Sequence, residues 1–155
     1  MAPLSPQELS DRIEIDDVLT RYATGVDRKD WDLWETCFTP DAHIDYTAFG
    51  GAKGSVKEIR EWLEKTMVLF SMSQHLVINR EVQLDGDRAT ARSAFYNPMI
   101  WSKGPNAPFI TVDGGYYCDQ FVRTPDGWKI AERVEEFSYS TRTLPVAAPF
   151  GGGGD

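Results

Sequence analysis

Apolar residues recur at helical spacing in the first part of the chain and alternate with polar ones in the last part, which divides it into a helical and an extended portion. Leu9, Ile13, Val18, Leu19, Tyr22, Ala23 and Val26 repeat at helical intervals. Just ahead of them, Ser5-Pro6-Gln7-Glu8 offers a capping serine, a proline suited to the first turn and a glutamate placed to reach back to the cap amide. The spacing predicts a helix from Pro6 to Val26, with Gly25 loosening its end. Asp30 caps a second, short helix with Trp31, Trp34 and Phe38 on its inner side, and Thr39-Pro40-Asp41 stops it. Ala42 to Thr47 alternates as a strand, with Ala42, Ile44 and Tyr46 on one face and His43, Asp45 and Thr47 on the other. Phe49 to Gly54 reads as a glycine-rich turn. Ser55-Val56-Lys57-Glu58 repeats the capping pattern, and Ile59, Trp62, Leu63, Met67 and Phe70 mark a third helix.

After Ser73 the pattern changes. His75–Leu84, Arg88–Trp101, Phe109–Arg123 and Gly127–Tyr139 read as four strands of an antiparallel meander. Asp85-Gly86-Asp87 and Pro125-Asp126-Gly127 supply hairpin turns, and the Lys103–Pro108 loop joins the middle pair. Helices first and strands afterwards argue an α+β fold, a curved sheet covered on one face. A strongly bent sheet with helices across it makes a cone whose mouth is a natural pocket. Residues 1–143 form a single domain on this reading. Residues 144–155 form a tail, apolar from Leu144 to Phe150 and then glycine-rich, that docks on its own pocket mouth or on a neighbouring subunit.

The length of 155 residues suits one domain with a real core. The net charge of −8 repels phosphate backbones and anionic lipid surfaces, which argues against nucleic-acid and membrane partners. An aromatic content of 12% serves a lined pocket as well as a core. No apolar run reaches the ~20 residues needed to span a bilayer. The first residues lack a basic region followed by an apolar one, so no secretory signal is expected. Cys37 and Cys118 stand in no metal or redox spacing; two buried thiols in a reducing cytoplasm are the expectation, with a disulfide as the alternative.

The chemistry is narrowed by what is missing. The histidines are His43 and His75, with no HExxH pattern and no paired cysteines. His43-x-Asp45 offers two ligands, too few for a metal, and reads as a solvated strand face. No nucleophile elbow appears, and Gly50-Gly51-Ala52-Lys53-Gly54 is a loop rather than a phosphate cradle. Acid–base chemistry remains. His75 opens a strand, on the side of Val77 and Asn79, while Asp27 ends the first helix with Tyr22 above it. A carboxylate beside an imidazole fixes its tautomer and steadies the imidazolium. An unperturbed histidine titrates near ~6.5, close to the working pH of a general base. A tyrosine hydroxyl can donate to a carbonyl oxygen or a departing hydroxyl. Plain structural roles stand beside these: a strand-edge histidine, a solvated aspartate in Asp27-Arg28-Lys29-Asp30, and a core tyrosine.

Tyr22-Ala23-Thr24-Gly25-Val26-Asp27-Arg28-Lys29-Asp30-Trp31-Asp32, then Phe38-Thr39-Pro40-Asp41-Ala42 and Ile44-Asp45-Tyr46, resembles the SnoaL-like group of the nuclear transport factor 2-like (NTF2-like) superfamily. Gln74-His75 before an apolar strand and Thr124-Pro125-Asp126-Gly127-Trp128-Lys129-Ile130 fit the same pattern. The resemblance extends from Pro6 to Phe137. It implies a cystatin-like α+β barrel, a cone-shaped, mainly antiparallel sheet under N-terminal helices. Within the superfamily the chain is most similar to scytalone dehydratase, bile-acid 7α-dehydratase and hexachlorocyclohexane dehydrochlorinase. That group pairs an aspartate at the end of helix one with a histidine 48 residues later, as Asp27 and His75 are spaced here.

By this resemblance Asp27 is the partner and His75 the base. Tyr22 matches a tyrosine of the bile-acid enzyme, and Tyr46 a substrate-orienting tyrosine of scytalone dehydratase. Val26 stands where scytalone dehydratase has a tyrosine, and near Tyr96-Asn97-Pro98 its second pocket histidine is missing, although Asn97 can hydrogen-bond a ligand. Arg92, Arg133 and Arg142 all remain open as counterparts of the dehydrochlorinase arginine.

The expected function is a cofactor-free, metal-free lyase reaction, dehydration of an apolar cyclic substrate near a carbonyl, such as a sterol, terpenoid, polyketide or aromatic. An isomerase or cyclase with the same base, and a non-catalytic small-molecule binder, stand as alternatives. The expected pocket walls are Phe49, Met67, Phe70, Phe95, Met99, Trp101 and Tyr117. The apolar tail and the resemblance together imply a homo-oligomer, a dimer or trimer.

Overall fold

A computed structural model describes residues 3–142; the tail from Leu144 onwards lies outside them. The first helix, α1 (Pro6–Arg28), starts from the capping box anticipated for Ser5 and Glu8 and ends at Lys29 in the left-handed conformation. Its buried stripe differs from the one the periodicity predicts. Leu9 and Ile13 are exposed, and Asp11 takes the inward position instead. That aspartate is satisfied there: it accepts from Arg123, from the Trp128 indole N–H and from Gln7, which tie the start of α1 to the far end of the sheet.

The second helix, α2 (Trp31–Glu35), is shorter than expected. Phe38 belongs to strand β1 (Phe38–Asp45), which runs through the proposed stop at Thr39-Pro40-Asp41. Pro40 drives Thr39 towards extended backbone, and the Cys37 carbonyl is already taken by the Ile130 N–H at 2.8 Å. The stretch Phe49–Gly54 is not all turn: Phe49 ends a 3-10 turn and Lys53 opens strand β2 (Lys53–Ser55), which pairs antiparallel with β1. Helix α3 (Val56–Thr66) has the second capping box, from Ser55 and Glu58. It also stops early: Met67–Leu69 is a 3-10 turn, and Phe70 opens strand β3 (Phe70–Ser73). Sheet pairing overrides the helical spacing there, because Phe70 lies opposite Trp101 with ring centroids 4.4 Å apart.

The meander follows as β4 (Leu76–Asp85), β5 (Arg88–Trp101), β6 (Phe109–Thr124) and β7 (Gly127–Ser140). The strand order is β2-β1-β7-β6-β5-β3, and β4 shares the β3 edge of β5. Only the β1–β7 pair is parallel among the described strands. Irregular register at Gly114/Gly115 and Gln120/Phe121 in β6 and at Ile78/Glu81 in β4 lets the long strands curl without closing. Ile15, Leu19, Trp34, Ile44, Ile59 and Ile130 are fully buried in the core formed by the helices and the sheet. The fold is the anticipated α+β cone.

Candidate active site

Asp27 sits in the last turn of α1, and His75 precedes β4 directly after the short β3. Their elements meet at the open side of the cone. The Asp27 carboxylate accepts three hydrogen bonds. Its Oδ1 takes the Ser73 hydroxyl at 2.9 Å and lies 2.6 Å from His75 Nδ1, and its Oδ2 takes the His75 main-chain N–H at 2.8 Å. With the proton on Nδ1 held by Asp27, the neutral ring carries its lone pair on Nε2. The His75 side chain is 8% exposed and that of Asp27 22%. Asp27 is therefore not the solvated aspartate of a charged link, and His75 is not a free strand-edge histidine. Val77 shares the inward side with His75, whereas Asn79 is exposed, because the irregular register of β4 intervenes.

Nε2 is not idle. Asn97 Nδ2, projecting from β5, lies 2.9 Å from it, and the other amide atom, Oδ1, is buried with no partner among the described residues. In this orientation the amide donates to the neutral ring. Rotated by half a turn, it presents Oδ1 to an imidazolium N–H. One side chain thus suits both protonation states.

Tyr22 and Tyr46 meet at 2.8 Å, hydroxyl to hydroxyl. Tyr22 also sets its ring nearly perpendicular to that of His75, at 82° with centroids 6.4 Å apart. Burial pushes both phenols above their ordinary range, and Tyr117 likewise, so all three are neutral donors. Arg133 lies beneath this cluster, its guanidinium 3.9 Å from the Tyr22 ring centroid and 4.1 Å from that of Tyr117. Burial works against its charge, but Asp119 holds it protonated through two bonds of 2.7 Å.

Of these groups, Tyr22, Tyr46, His75, Asn97 and Tyr117 line a cavity of about 320 Å³. Every candidate wall residue lines it. Strand β5 contributes Phe95, Asn97, Met99 and Trp101, alternate positions on one face. Tyr117 comes from β6, with its ring stacked on Phe95 at 4.5 Å. Phe49 enters from the turn after β1, against Gly115, where a Cβ would lie 2.8 Å from the Phe49 ring. Met67 and Phe70 close the side below α3. Of the open arginines, Arg142 reaches the cavity and pairs with Asp113 at 2.7 Å, while Arg92 is bound to Glu136 away from it. His43 is exposed. Among the described residues no three His, Cys, Asp or Glu side chains converge as a metal site.

Sequence reasoning missed Trp62, Asp113 and Glu135, all on the cavity wall. Glu135 matters most. Its Oε2 is sealed from solvent with no partner among the described residues, and burial pushes the carboxyl up to about 8. Simple alternation from Trp128 and Ile130 would turn it outwards. The register shift opposite Gln120/Phe121 reverses the phase of β7 and brings Arg133 and Glu135 inside. No residue pattern announces that shift.

The known SnoaL-like domain matches residues 7–134. Protein Rv2910c of Mycobacterium tuberculosis is 41% identical over 132 residues, 85% of this chain and 88% of that protein. A Novosphingobium aromaticivorans structure, provisionally named a scytalone dehydratase, superposes with a TM-score of 0.80 at 18% identity over 96% of this chain and 98% of that one. The hexachlorocyclohexane dehydrochlorinase LinA type 2 gives 0.75 at 16% identity, over 92% and 97%. At such identities the two structures speak for the fold, which is the NTF2-like one. The match across the domain, together with the 41% relative, places this chain in the SnoaL-like family.

Proposed function

We propose that this protein is a cofactor-free lyase that removes water from an apolar cyclic β-hydroxy ketone. The observation that carries the reading is the 2.6 Å contact between Asp27 and His75 at the wall of an apolar cavity. Neutral His75 takes a proton from the carbon next to the carbonyl through Nε2, once the Asn97 amide yields that position to the substrate. Asp27 stabilises the imidazolium that results. A hydroxyl of the Tyr22–Tyr46 pair donates to the carbonyl oxygen, where negative charge develops. The electron pair of the broken C–H bond forms the double bond, the C–O bond breaks with its pair on oxygen, and the hydroxide takes up a proton to leave as water, balanced by the proton that His75 holds.

A volume of about 320 Å³ lies at the low end of small-molecule sites, which favours a skeleton of one to three fused rings over a sterol. Two fold neighbours bear the names of elimination enzymes, a dehydratase and a dehydrochlorinase. That similarity supports the reaction class and leaves the substrate to experiment.

The test uses 3-hydroxy-1-tetralone, which yields 1-naphthol on loss of water. His75→Ala should slow naphthol formation by roughly 10²–10⁴-fold while the circular dichroism of the fold is unchanged. Equal rates in variant and wild type would rule out His75 as the base. Binding of the ketone without turnover by the wild type would favour a binding protein.

A further inference from the structure

The mechanism above leaves one buried, reactive group unused. Glu135 lines the same cavity as His75. The two reach it from separate parts of the sheet: β7 carries Glu135, β4 follows His75, and β6 and β5 lie between. The Glu135 Oε2 has no hydrogen-bond partner among the described residues and no access to solvent. A buried carboxylate in that position would forgo its solvation without compensation, whereas a carboxylic acid has a proton to offer to whatever fills the cavity.

The charges around it come from three strands. Arg133, two residues away on β7, favours the ionised form, but it is already bound to Asp119 by two hydrogen bonds. Asp113 on β6 and Asp45 on β1 oppose a further negative charge, and burial is the largest influence. The carboxyl is thus kept neutral near pH 7 and can return to that state after each turnover.

We propose that Glu135 is a second catalytic residue, the acid that protonates a departing hydroxyl, so that the site is built for loss of water rather than of halide. The inference rests on the elimination reading and names its leaving group. His75 Nε2 takes the proton on the carbon next to the carbonyl. That bond's electron pair forms the carbon–carbon double bond. The bond from the neighbouring carbon to the hydroxyl oxygen breaks, its pair stays on oxygen, and the Glu135 proton completes water. The products are the enone, water, an imidazolium and a Glu135 carboxylate; the imidazolium proton then returns to the carboxylate through water that fills the shared cavity once the products leave. A hydroxide is a poor leaving group and gains from this proton, whereas a chloride departs without one. An acid placed in this way therefore discriminates between the two.

The experiment compares Glu135→Gln, His75→Ala and wild type on 3-hydroxy-1-tetralone and 3-chloro-1-tetralone, corrected for the uncatalysed rates. Glutamine keeps the shape of the side chain without a transferable proton. The expected result is that Glu135→Gln lowers the ratio of water loss to chloride loss by roughly 100-fold or more, while His75→Ala slows both reactions by roughly 10²–10⁴-fold. An unchanged ratio in Glu135→Gln overturns the proposal and leaves the base in place. Rates in His75→Ala equal to those of the wild type, or a wild type inert to both ketones, overturn the elimination reading instead. Difference infrared spectra of wild type and Glu135→Gln at pH 7 give a readout without substrate. A carboxylic-acid C=O stretch lost in the variant supports the neutral acid, and its absence from the wild type overturns the proposal whatever the kinetics show.

Discussion

Asp27 holds His75 twice, by the ring Nδ1 at 2.6 Å and by the main-chain N–H at 2.8 Å. One carboxylate therefore fixes the position of the residue and the tautomer of its ring. The double grip joins the end of α1 to the link between β3 and β4, so the base is placed by the packing of the fold rather than by a mobile loop. Asp27→Asn should break one of the two contacts, because an amide has only one oxygen to accept with and its NH2 meets a donor. Turnover of the hydroxytetralone is expected to fall by roughly 10²–10⁴-fold. Ser73→Ala removes only the third bond to the carboxylate. It should cost about 1 kcal/mol of stability in urea unfolding and much less activity.

Asn97 makes a different prediction. If its amide turns to accept from the imidazolium, it assists the step in which His75 becomes charged. A hydrogen bond to a charged group is worth roughly 1.5–3 kcal/mol. Asn97→Ala should then lower kcat by about one to two orders of magnitude and change KM little. A faster variant would mean that the amide merely blocks Nε2.

Tyr22 and Tyr46 share one hydrogen bond of 2.8 Å, which leaves one hydroxyl proton for a ligand. Either phenylalanine replacement breaks the same pair. The rate losses of Tyr22→Phe and Tyr46→Phe should therefore not add in the double variant, with a coupling of at least about 0.5 kcal/mol. Additive losses would show that the two hydroxyls act independently.

The Glu135 carboxyl, raised to about 8 by burial, gives stability a definite pH dependence. An unfolded glutamate titrates near ~4.3. Between those values the folded chain holds a proton that the unfolded chain has released, so stability falls as pH rises. The contribution is complete below the unfolded value and is lost as pH passes through the folded one. The slope from this group is at most about 1.4 kcal/mol per pH unit. Glu135→Gln should flatten the fall measured by urea unfolding across roughly pH 5–8. An identical slope in both proteins would contradict a neutral Glu135.

Local chemistry made much of the fold legible. Both capping boxes, both hairpin turns and the long alternating strands follow from residues close together in the chain. The misread elements are those settled by distant partners. Phe38 and Phe70 obey helical spacing, yet strands β7 and β5 claim them. The outward Leu9 and Ile13 follow from Asp11, whose partners Arg123 and Trp128 lie at the other end of the sequence. The site divides in the same way. Asp27 and His75 were marked by the resemblance to the SnoaL-like group and the walls of β5 by alternation, whereas the Asn97–His75 bond and the inward turn of Glu135 depend on register, which the sequence leaves unwritten.

Deuterium incorporation into 1-tetralone in D2O, followed by mass spectrometry, isolates proton removal, since this ketone has the acidic carbon and no leaving group. The wild type should exchange the C2 hydrogens well above the buffer rate, and His75→Ala should exchange them at the buffer rate alone. Exchange as fast in the His75→Ala protein as in the wild type would contradict the role assigned to the imidazole and its carboxylate.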